Sequence, residues 1–142
     1  MTFYKFIMIV VDTKIISYFY LSSEYSAVAD ELFLKNSAWA APLLWRSEFR
    51  NILSYYAGKQ IITLQDAIQI FEIAESLLHH NEYEVNSAQV LKLSQSSGCS
   101  AYDCEFVSLA QDLNVPLVTM DKKILDNFQN TAVSIQKYME KY

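Results

Sequence analysis

The chain has 142 residues, 52% of them hydrophobic, so it is the size of one domain and can bury a substantial core. Two Gly, two Pro and no Ser-rich or charged linker leave nothing that would divide residues 1–142 into two domains. The formal net charge of −5 argues against a broad basic surface for nucleic acid. The longest apolar run, residues 6–11, is too short to cross a membrane or to act as a secretion signal, so we expect a cytoplasmic protein.

Strands and helices are predicted to alternate along the chain, which is typical of a parallel β-sheet covered by helices on both faces. The predicted strands are residues 6–11, 38–41, 82–86, 115–120 and 132–136, the last one followed by a charged, frayed tail. The predicted helices are residues 13–21, 23–35, 42–58, 63–79, 87–97 and 122–128, with a further helix that begins at Ser100.

The cysteines and histidines form no recognisable metal or redox motif. Cys99 and Cys104 lack the CxxC spacing, so we expect buried, reduced thiols without a functional role. His79 and His80 end a predicted helix, where the helix dipole favours a cation, and the chain has no further His to complete a metal site.

The helix that begins at Ser100 carries an acid, Asp103, in its first turn. Ser100 is a favourable N-cap, and Asp103 three residues later occupies the acidic position of a capping box. A helical wheel places Asp103 at the edge of the apolar arc. The same wheel places Glu105, Ser108 and Asp112 on the polar side. This helix alone leaves two interpretations open, a cap partner for Ser100 or a functional acid.

A second acid lies within an apolar helix face. Pro42 can open and Gly58 can end a helix whose apolar half contains Glu48. An isolated ionised carboxylate there would cost on the order of several kcal/mol, so it must be paired, hydrogen-bonded, protonated or bound to a cation. Arg46 and Arg50 lie on the other half of the wheel. An internal ion pair with a distant residue, or a face less buried than the pattern indicates, are the alternatives to a functional role.

Two more acids follow predicted strands. Asp12 ends the first strand and Asp121 ends the strand over residues 115–120. Ligands of parallel sheets collect at the carboxyl ends of the strands, where helices begin, so these acids, Glu48 and Asp103 are expected at one rim. Their mutual repulsion would be costly without cations, and an oxygen-only ligand set suits Mg²⁺ or Mn²⁺. Setting these four aside leaves 12 of the 16 acids against 11 bases, so the net charge does not exclude a metal-dependent nuclease.

In order and spacing, four features resemble the motif series of PIN-domain ribonucleases, and most closely the VapC-like toxins of toxin–antitoxin modules. They are residues 10–13 (VVDT), the helical Glu48, residues 100–103 (SAYD) and residues 117–121 (LVTMD). The similarity runs from about residue 8 to residue 135, and residues 1–7 look like an N-terminal extension. The resemblance implies a PIN-like three-layer α/β/α fold with a central parallel sheet.

The resemblance also implies an activity and its residues. Asp12, Glu48, Asp103 and Asp121 would hold one or two Mg²⁺ or Mn²⁺ ions, with Thr119 and Thr13 in support. Such a site activates water to cleave RNA phosphodiester bonds without a covalent intermediate. The target could be tRNA, rRNA or mRNA. A cognate antitoxin protein and homodimerisation are implied by the same resemblance. The basic residues that could contact substrate are Lys14, Arg46 and Lys122.

Lys14 departs from the family pattern, which usually has Asn or Ser two positions after the first acid. Its cation could weaken metal binding by repulsion or could contact the substrate phosphate. The first effect would give a weakened nuclease or a non-catalytic PIN-like module that binds RNA or protein. All four acids are nevertheless present, which favours activity. A phosphatase that uses Asp12 as nucleophile is a poor alternative, because Lys14 breaks the D-x-D pattern common in that chemistry.

Overall fold

The computed structural model describes residues 8–142, so the predicted N-terminal extension and the first residues of the predicted first strand lie outside the described residues. Within the described part, five strands form one parallel sheet in the order β3-β2-β1-β4-β5. The strands are β1 (Ile9–Val11), β2 (Trp39–Pro42), β3 (Glu82–Tyr83), β4 (Leu117–Val118) and β5 (Ala132–Val133).

Helices flank this sheet and confirm the predicted three-layer α/β/α architecture. A 3₁₀ turn, His79–Asn81, lies between a helix and a strand. Among residues 8–142, no helix is both long enough and apolar enough to span a membrane. The helices are α1 (Thr13–Tyr20), α2 (Ser26–Lys35), α3 (Leu44–Gly58), α4 (Leu64–Leu78), α5 (Ser87–Ser97), α6 (Ala101–Leu113), α7 (Lys122–Asn127) and α8 (Ile135–Lys141).

The sheet lies at the centre because its strands are apolar on both faces. Every residue of β1 and β4 is buried. Val10 of β1 pairs with Ala40 on one side and with Leu117 on the other. Since β1 and β4 are parallel neighbours, their carboxyl ends open at the same edge of the sheet. This arrangement brings Asp12 and Asp121, which follow these strands, to one side of the molecule.

Local capping signals set the helix boundaries. Thr63 and Asp66 form a capping box at the start of α4. Gly98 ends α5 with a φ of +75°, a left-handed conformation that glycine adopts without steric cost. Ser100 then starts α6 by accepting a hydrogen bond of 3.0 Å from the backbone N–H of Asp103. The predicted buried, free thiols at Cys99 and Cys104 are confirmed.

The prediction for the C-terminal segment is wrong. Strand β5 ends at Val133, and Ser134 caps a further helix, α8, where a frayed tail was expected. This helix is anchored by Tyr138, which is 3% exposed and accepts a 3.2 Å hydrogen bond from the Asn36 side chain. Pro42 also differs from the prediction, because it is the last residue of β2 and α3 begins two residues later. Both differences arise from packing against distant segments, which a local pattern does not contain.

Candidate active site

A pocket of about 270 Å³ opens beside the carboxyl ends of β1 and β4. The structure brings all four predicted acids to it, from four separate places in the chain: after β1, on α3, on α6 and after β4. The residues that line the pocket are Asp12, Thr13, Lys14, Glu48, Asn51, Ile52, Asp103, Phe106, Asp121 and Ile124.

Asp12 is the most buried of these acids, at 8% exposed. It caps α1, since one carboxylate oxygen accepts a 3.0 Å hydrogen bond from the backbone N–H of Ile15. The other oxygen accepts a short hydrogen bond from the hydroxyl of Thr119. The pKa of Asp12 is raised to about 6, chiefly by burial and also by the nearby charge of Asp121, and the two hydrogen bonds and Lys14 oppose this rise.

Thr119 links two of the acids. Its side chain is fully buried and donates to Asp12. The same hydroxyl oxygen accepts a 3.0 Å hydrogen bond from the backbone N–H of Asp121. Asp121 in turn caps α7 by accepting from the backbone N–H of Ile124 at 3.0 Å. The hydroxyl therefore couples the orientation of the Asp12 carboxylate to the turn that carries Asp121.

Glu48 is held by a hydroxyl group. The hydroxyl of Thr13 donates to the Glu48 carboxylate at 2.6 Å. Among residues 8–142, no ion pair to Glu48 is formed, so the alternative of an internal ion pair is not observed there. Burial raises the pKa of Glu48, the charge of Asp103 adds to this, and the Thr13 hydrogen bond opposes it.

Asp103 takes part in the cap of α6 and also faces the pocket. Its backbone N–H donates to Ser100, while its carboxylate lines the pocket. Burial raises the pKa of Asp103, and the charge of Asp121 raises it further. The two interpretations of this residue are compatible, because Asp103 contributes to the cap through its backbone N–H and also lines the pocket, while a side-chain hydrogen bond with Ser100 lowers the pKa of its carboxyl.

The chemistry of these donors fits a hard divalent cation. The pKa values of Asp12, Glu48 and Asp103 are each raised in part by the charge of another acid of the set. A bound cation would relieve this repulsion. Carboxylate and hydroxyl oxygens are the ligands that Mg²⁺ and Mn²⁺ prefer. As the side chains stand, the described part of the chain contains no group of three or more His, Cys, Asp or Glu arranged to hold one metal ion. The acids share a pocket without converging on a single point.

Lys14 and Asn51 complete the polar lining. Lys14 is exposed at the pocket, and its positive charge lowers the pKa of both Asp12 and Asp103. Asn51 is a lining residue that the sequence analysis missed. It follows Glu48 by three residues on α3, a spacing that places both on the same helix face and that could have identified it.

The structure does not bring Arg46 or Lys122 into the pocket. Arg46 forms ion pairs of 2.6 Å with Glu82 and 2.7 Å with Glu75. Lys122 points to Asp126, one helical turn along α7, at 2.9 Å. Both cations are therefore neutralised by acids outside the pocket, and of the three predicted substrate contacts only Lys14 lines it.

The prediction that Glu105, Ser108 and Asp112 lie on a polar side of α6 is wrong in part. Ser108 is fully buried, and Glu105 is half-buried, with a pKa raised by burial and then by the charge of Glu48. The reason is that α6 packs against α5, β1, β2 and β4, so more than one arc of the helix is covered. Asp112 remains exposed as predicted.

The family follows from this fold and from comparison with known proteins. A model of the PIN domain matches residues 9–131, so the chain belongs to the PIN domain family, whose members are generally nucleases. The predicted resemblance to that family is confirmed. A search of curated proteins found no match.

Solved structures share the fold at low sequence identity. PAE2754 from Pyrobaculum aerophilum superimposes with a TM-score of 0.74 at 18% identity, covering 95% of this chain and 88% of its own. A toxin–antitoxin complex from Klebsiella pneumoniae gives 0.68 at 16% identity, with 89% and 97% covered. VapBC2 from Rickettsia felis, bound to a DNA fragment from its promoter, gives 0.65 at 18% identity, with 89% and 98% covered.

Proposed function

We propose that the protein is a metal-dependent endoribonuclease that hydrolyses RNA phosphodiester bonds. The observation that carries the proposal is that Asp12, Glu48, Asp103 and Asp121 line one pocket from four separate elements. Four partly or fully buried carboxylates at one site repel one another, an arrangement that is favourable when a cation is bound. Membership of the PIN domain family supports a nuclease.

The residues of the pocket have separable tasks in this proposal. The four acids would hold one or two Mg²⁺ or Mn²⁺ ions. When bound, such ions supply an activated water and neutralise the charge that develops on the phosphate. Thr119 fixes the Asp12 carboxylate and Thr13 fixes that of Glu48, which prepares both for binding. Lys14 offers the entering phosphate a cation at the pocket.

The biological role that fits this chemistry is that of a toxin in a toxin–antitoxin pair. Two of the solved structures with the same fold are a toxin–antitoxin complex and VapBC2, which supports an antitoxin protein as partner. We further propose a homodimer that acts on RNA in the cytoplasm. The class of RNA, whether tRNA, rRNA or mRNA, is a question for the cleavage assay.

The assay incubates purified protein with labelled tRNA, rRNA and mRNA in Mg²⁺ or Mn²⁺. Cleavage is expected with either ion and is expected to stop on chelation and in Asp103→Asn. The matched control is Asp112→Asn, which removes an exposed acid from the same helix and should cleave like the parent. Glu105→Gln is unsuitable as a control because Glu105 is half-buried and interacts with Glu48. Metal-independent cleavage that survives Asp103→Asn would reject the proposal.

A second function is favoured by one observation, the exposed Lys14 at the pocket. Its charge opposes a bound cation, so the protein could be a weakened nuclease or a non-catalytic module that binds RNA or protein. Calorimetry with Mn²⁺ distinguishes the two. The nuclease proposal expects saturable binding that is tighter in Lys14→Asn. The binding module expects no Mn²⁺ binding in the parent protein, together with tight binding of intact RNA or protein.

A further inference from the structure

Two tyrosines lie one helical turn from residues that line the acid pocket, and the chemistry proposed above does not use them. Lys14 lines the pocket, and Tyr18 follows it by four residues on α1, so the two side chains lie on the same helix face. The ring of Tyr18 lies 4.8 Å from the ring of Tyr25, centroid to centroid, at an interplanar angle of 42°. Tyr25 is 37% exposed. An aromatic pair with one exposed ring therefore begins one helical turn from the pocket.

Helix α3 carries a tyrosine in the same relation to the pocket. Glu48 and Ile52 line the pocket, and Tyr56 follows Ile52 by four residues on the same helix face. The pKa of Tyr18 is raised by burial and then by the charge of Asp12, with smaller effects from Tyr25, Glu24 and Tyr56. The phenol of Tyr18 is therefore within electrostatic reach of both the acid pocket and Tyr56.

This combination of groups matches the parts of a nucleic-acid strand. A phosphate held by the divalent ions that the acids are proposed to bind would pass Lys14, the cation of the pocket lining. The adjacent nucleotide would then reach Tyr18 and Tyr25, about 6 Å further along α1. Aromatic rings of this kind stack on the faces of unpaired bases without regard to sequence. A partner protein that bound through an aliphatic surface would not require a cation and phenol groups next to the acids.

We propose that Tyr18 and Tyr25 form a stacking platform for a base of single-stranded RNA, next to the phosphate that the acid pocket and Lys14 hold. The inference rests on the proposed nuclease function, because that function places the strand at the pocket. It assigns to these tyrosines the binding of the base beside the cleaved bond, and it leaves the chemical step to the acids.

The loss of one stacked base gives a measurable change. Removal of the exposed ring in Tyr25→Ala should weaken RNA binding about 5- to 150-fold, the range for base stacking on a protein aromatic. Tyr25→Phe keeps the ring and should restore most of this binding. Because Tyr25 is partly exposed on the turn before α2, its substitution should leave the folded state intact.

The chain contains a closely matched control. Tyr142, which is 46% exposed, stacks on Tyr138 at the same centroid distance of 4.8 Å. This pair lies at the end of α8, a helix that contributes no residue to the acid pocket, whereas α1, which carries Tyr18, contributes Thr13 and Lys14. Tyr142→Ala therefore removes an exposed tyrosine from a similar pair without altering the proposed platform.

The experiment measures fluorescence anisotropy of labelled oligouridylate and oligoadenylate with each variant in an Asp103→Asn background, which prevents cleavage. Tyr25→Ala should weaken binding by the stated factor, and Tyr142→Ala should not. A strand with an abasic site should bind Asp103→Asn more weakly than the intact strand, and this difference should shrink in Tyr25→Ala. Equal binding by Tyr25→Ala and Tyr142→Ala would overturn the platform alone. Absence of both RNA binding by Asp103→Asn and RNA cleavage by the parent would overturn the platform and the proposed function together.

Discussion

Asp12→Asn should stabilise the metal-free protein at neutral pH and destabilise it in acid. Burial raises the pKa of Asp12 from its ordinary value of 3.8 to about 6. At about 1.36 kcal/mol per pKa unit, the ionised side chain lowers the free energy of unfolding by about 3 kcal/mol above pH 6. Asn carries no charge but has one acceptor oxygen for the two donors, Ile15 N–H and Thr119, so one hydrogen bond worth about 1 kcal/mol is lost. The expected net gain is about 2 kcal/mol.

The sign of this effect depends on pH. Below the ordinary value of 3.8 the Asp12 carboxyl is protonated in both the folded and the unfolded chain, so the penalty is absent. Between that value and about 6 only the unfolded chain ionises, and the penalty grows until the folded carboxyl also ionises. Asp12→Asn should therefore be about 2 kcal/mol more stable than the parent at neutral pH and about 1 kcal/mol less stable in acid.

Urea unfolding in EDTA buffers over a range of pH measures this difference, and thermal unfolding should show a rise of roughly 7 °C at neutral pH. Asp112→Asn, an exposed acid on α6, should differ from the parent by less than about 0.5 kcal/mol throughout. A stability difference for Asp12→Asn that is independent of pH would show that ionisation of Asp12 does not cause it. So would a loss of stability at neutral pH.

Other substitutions test the supports of the site and of the fold. Thr119→Val removes the hydroxyl that orients Asp12 and should lower the cleavage rate about 10- to 100-fold, measured as kcat in Mn²⁺. Glu82→Gln should cost about 1–3 kcal/mol in urea unfolding at neutral pH, because the Glu82 carboxylate accepts hydrogen bonds from Arg46. Those hydrogen bonds lower the pKa of Glu82 from its ordinary value of 4.5, so this cost should vanish as the pH falls through the lowered value. Gly98→Ala should cost about 1 kcal/mol from the left-handed φ of +75° alone, since the added methyl meets no atom within 4 Å, and an unchanged unfolding midpoint would contradict this.

Periodicity predicted much of the fold because the strands that build the sheet are buried on both faces. Continuous apolar runs at β1 and β4 are visible without any knowledge of their neighbours. Once such strands are taken as parallel, the residues that follow them meet at one edge, which is why Asp12 and Asp121 could be placed together. The Ser100 cap was also predicted, because this signal is local.

Features that depend on contacts between distant segments could not be predicted. The helical wheel of α6 placed Glu105 on the polar side. The sheet and α5, however, cover more of that helix than one apolar arc. Arg46 was a substrate candidate until its partners on α4 and β3 were known. Helix α8 depends on the burial of Tyr138 against the rest of the molecule. In each case the contacting residues are distant in the sequence, so the local sequence pattern does not identify them.

For Lys14, the position near the first acid was predicted from the sequence, but its effect on the site was not. The sequence placed a cation two residues after the first acid, and the structure places it in the pocket lining. Its charge lowers the pKa of Asp12 and of Asp103, so it partly neutralises the site before any metal binds. Whether this cation mainly competes with metal or mainly attracts phosphate is decided by affinities, which is why the Lys14→Asn titration is informative.

Anomalous diffraction from crystals soaked in Mn²⁺ can show directly whether the acids of the pocket hold a metal ion. We expect Mn²⁺ bonded to carboxylate oxygens of at least two of the acids that line the pocket, Asp12, Glu48, Asp103 and Asp121. The same soak of Asp103→Asn should show weaker or absent Mn²⁺. A pocket without Mn²⁺ at saturating concentration, or Mn²⁺ bound only elsewhere on the molecule, would show that these acids do not form a metal site.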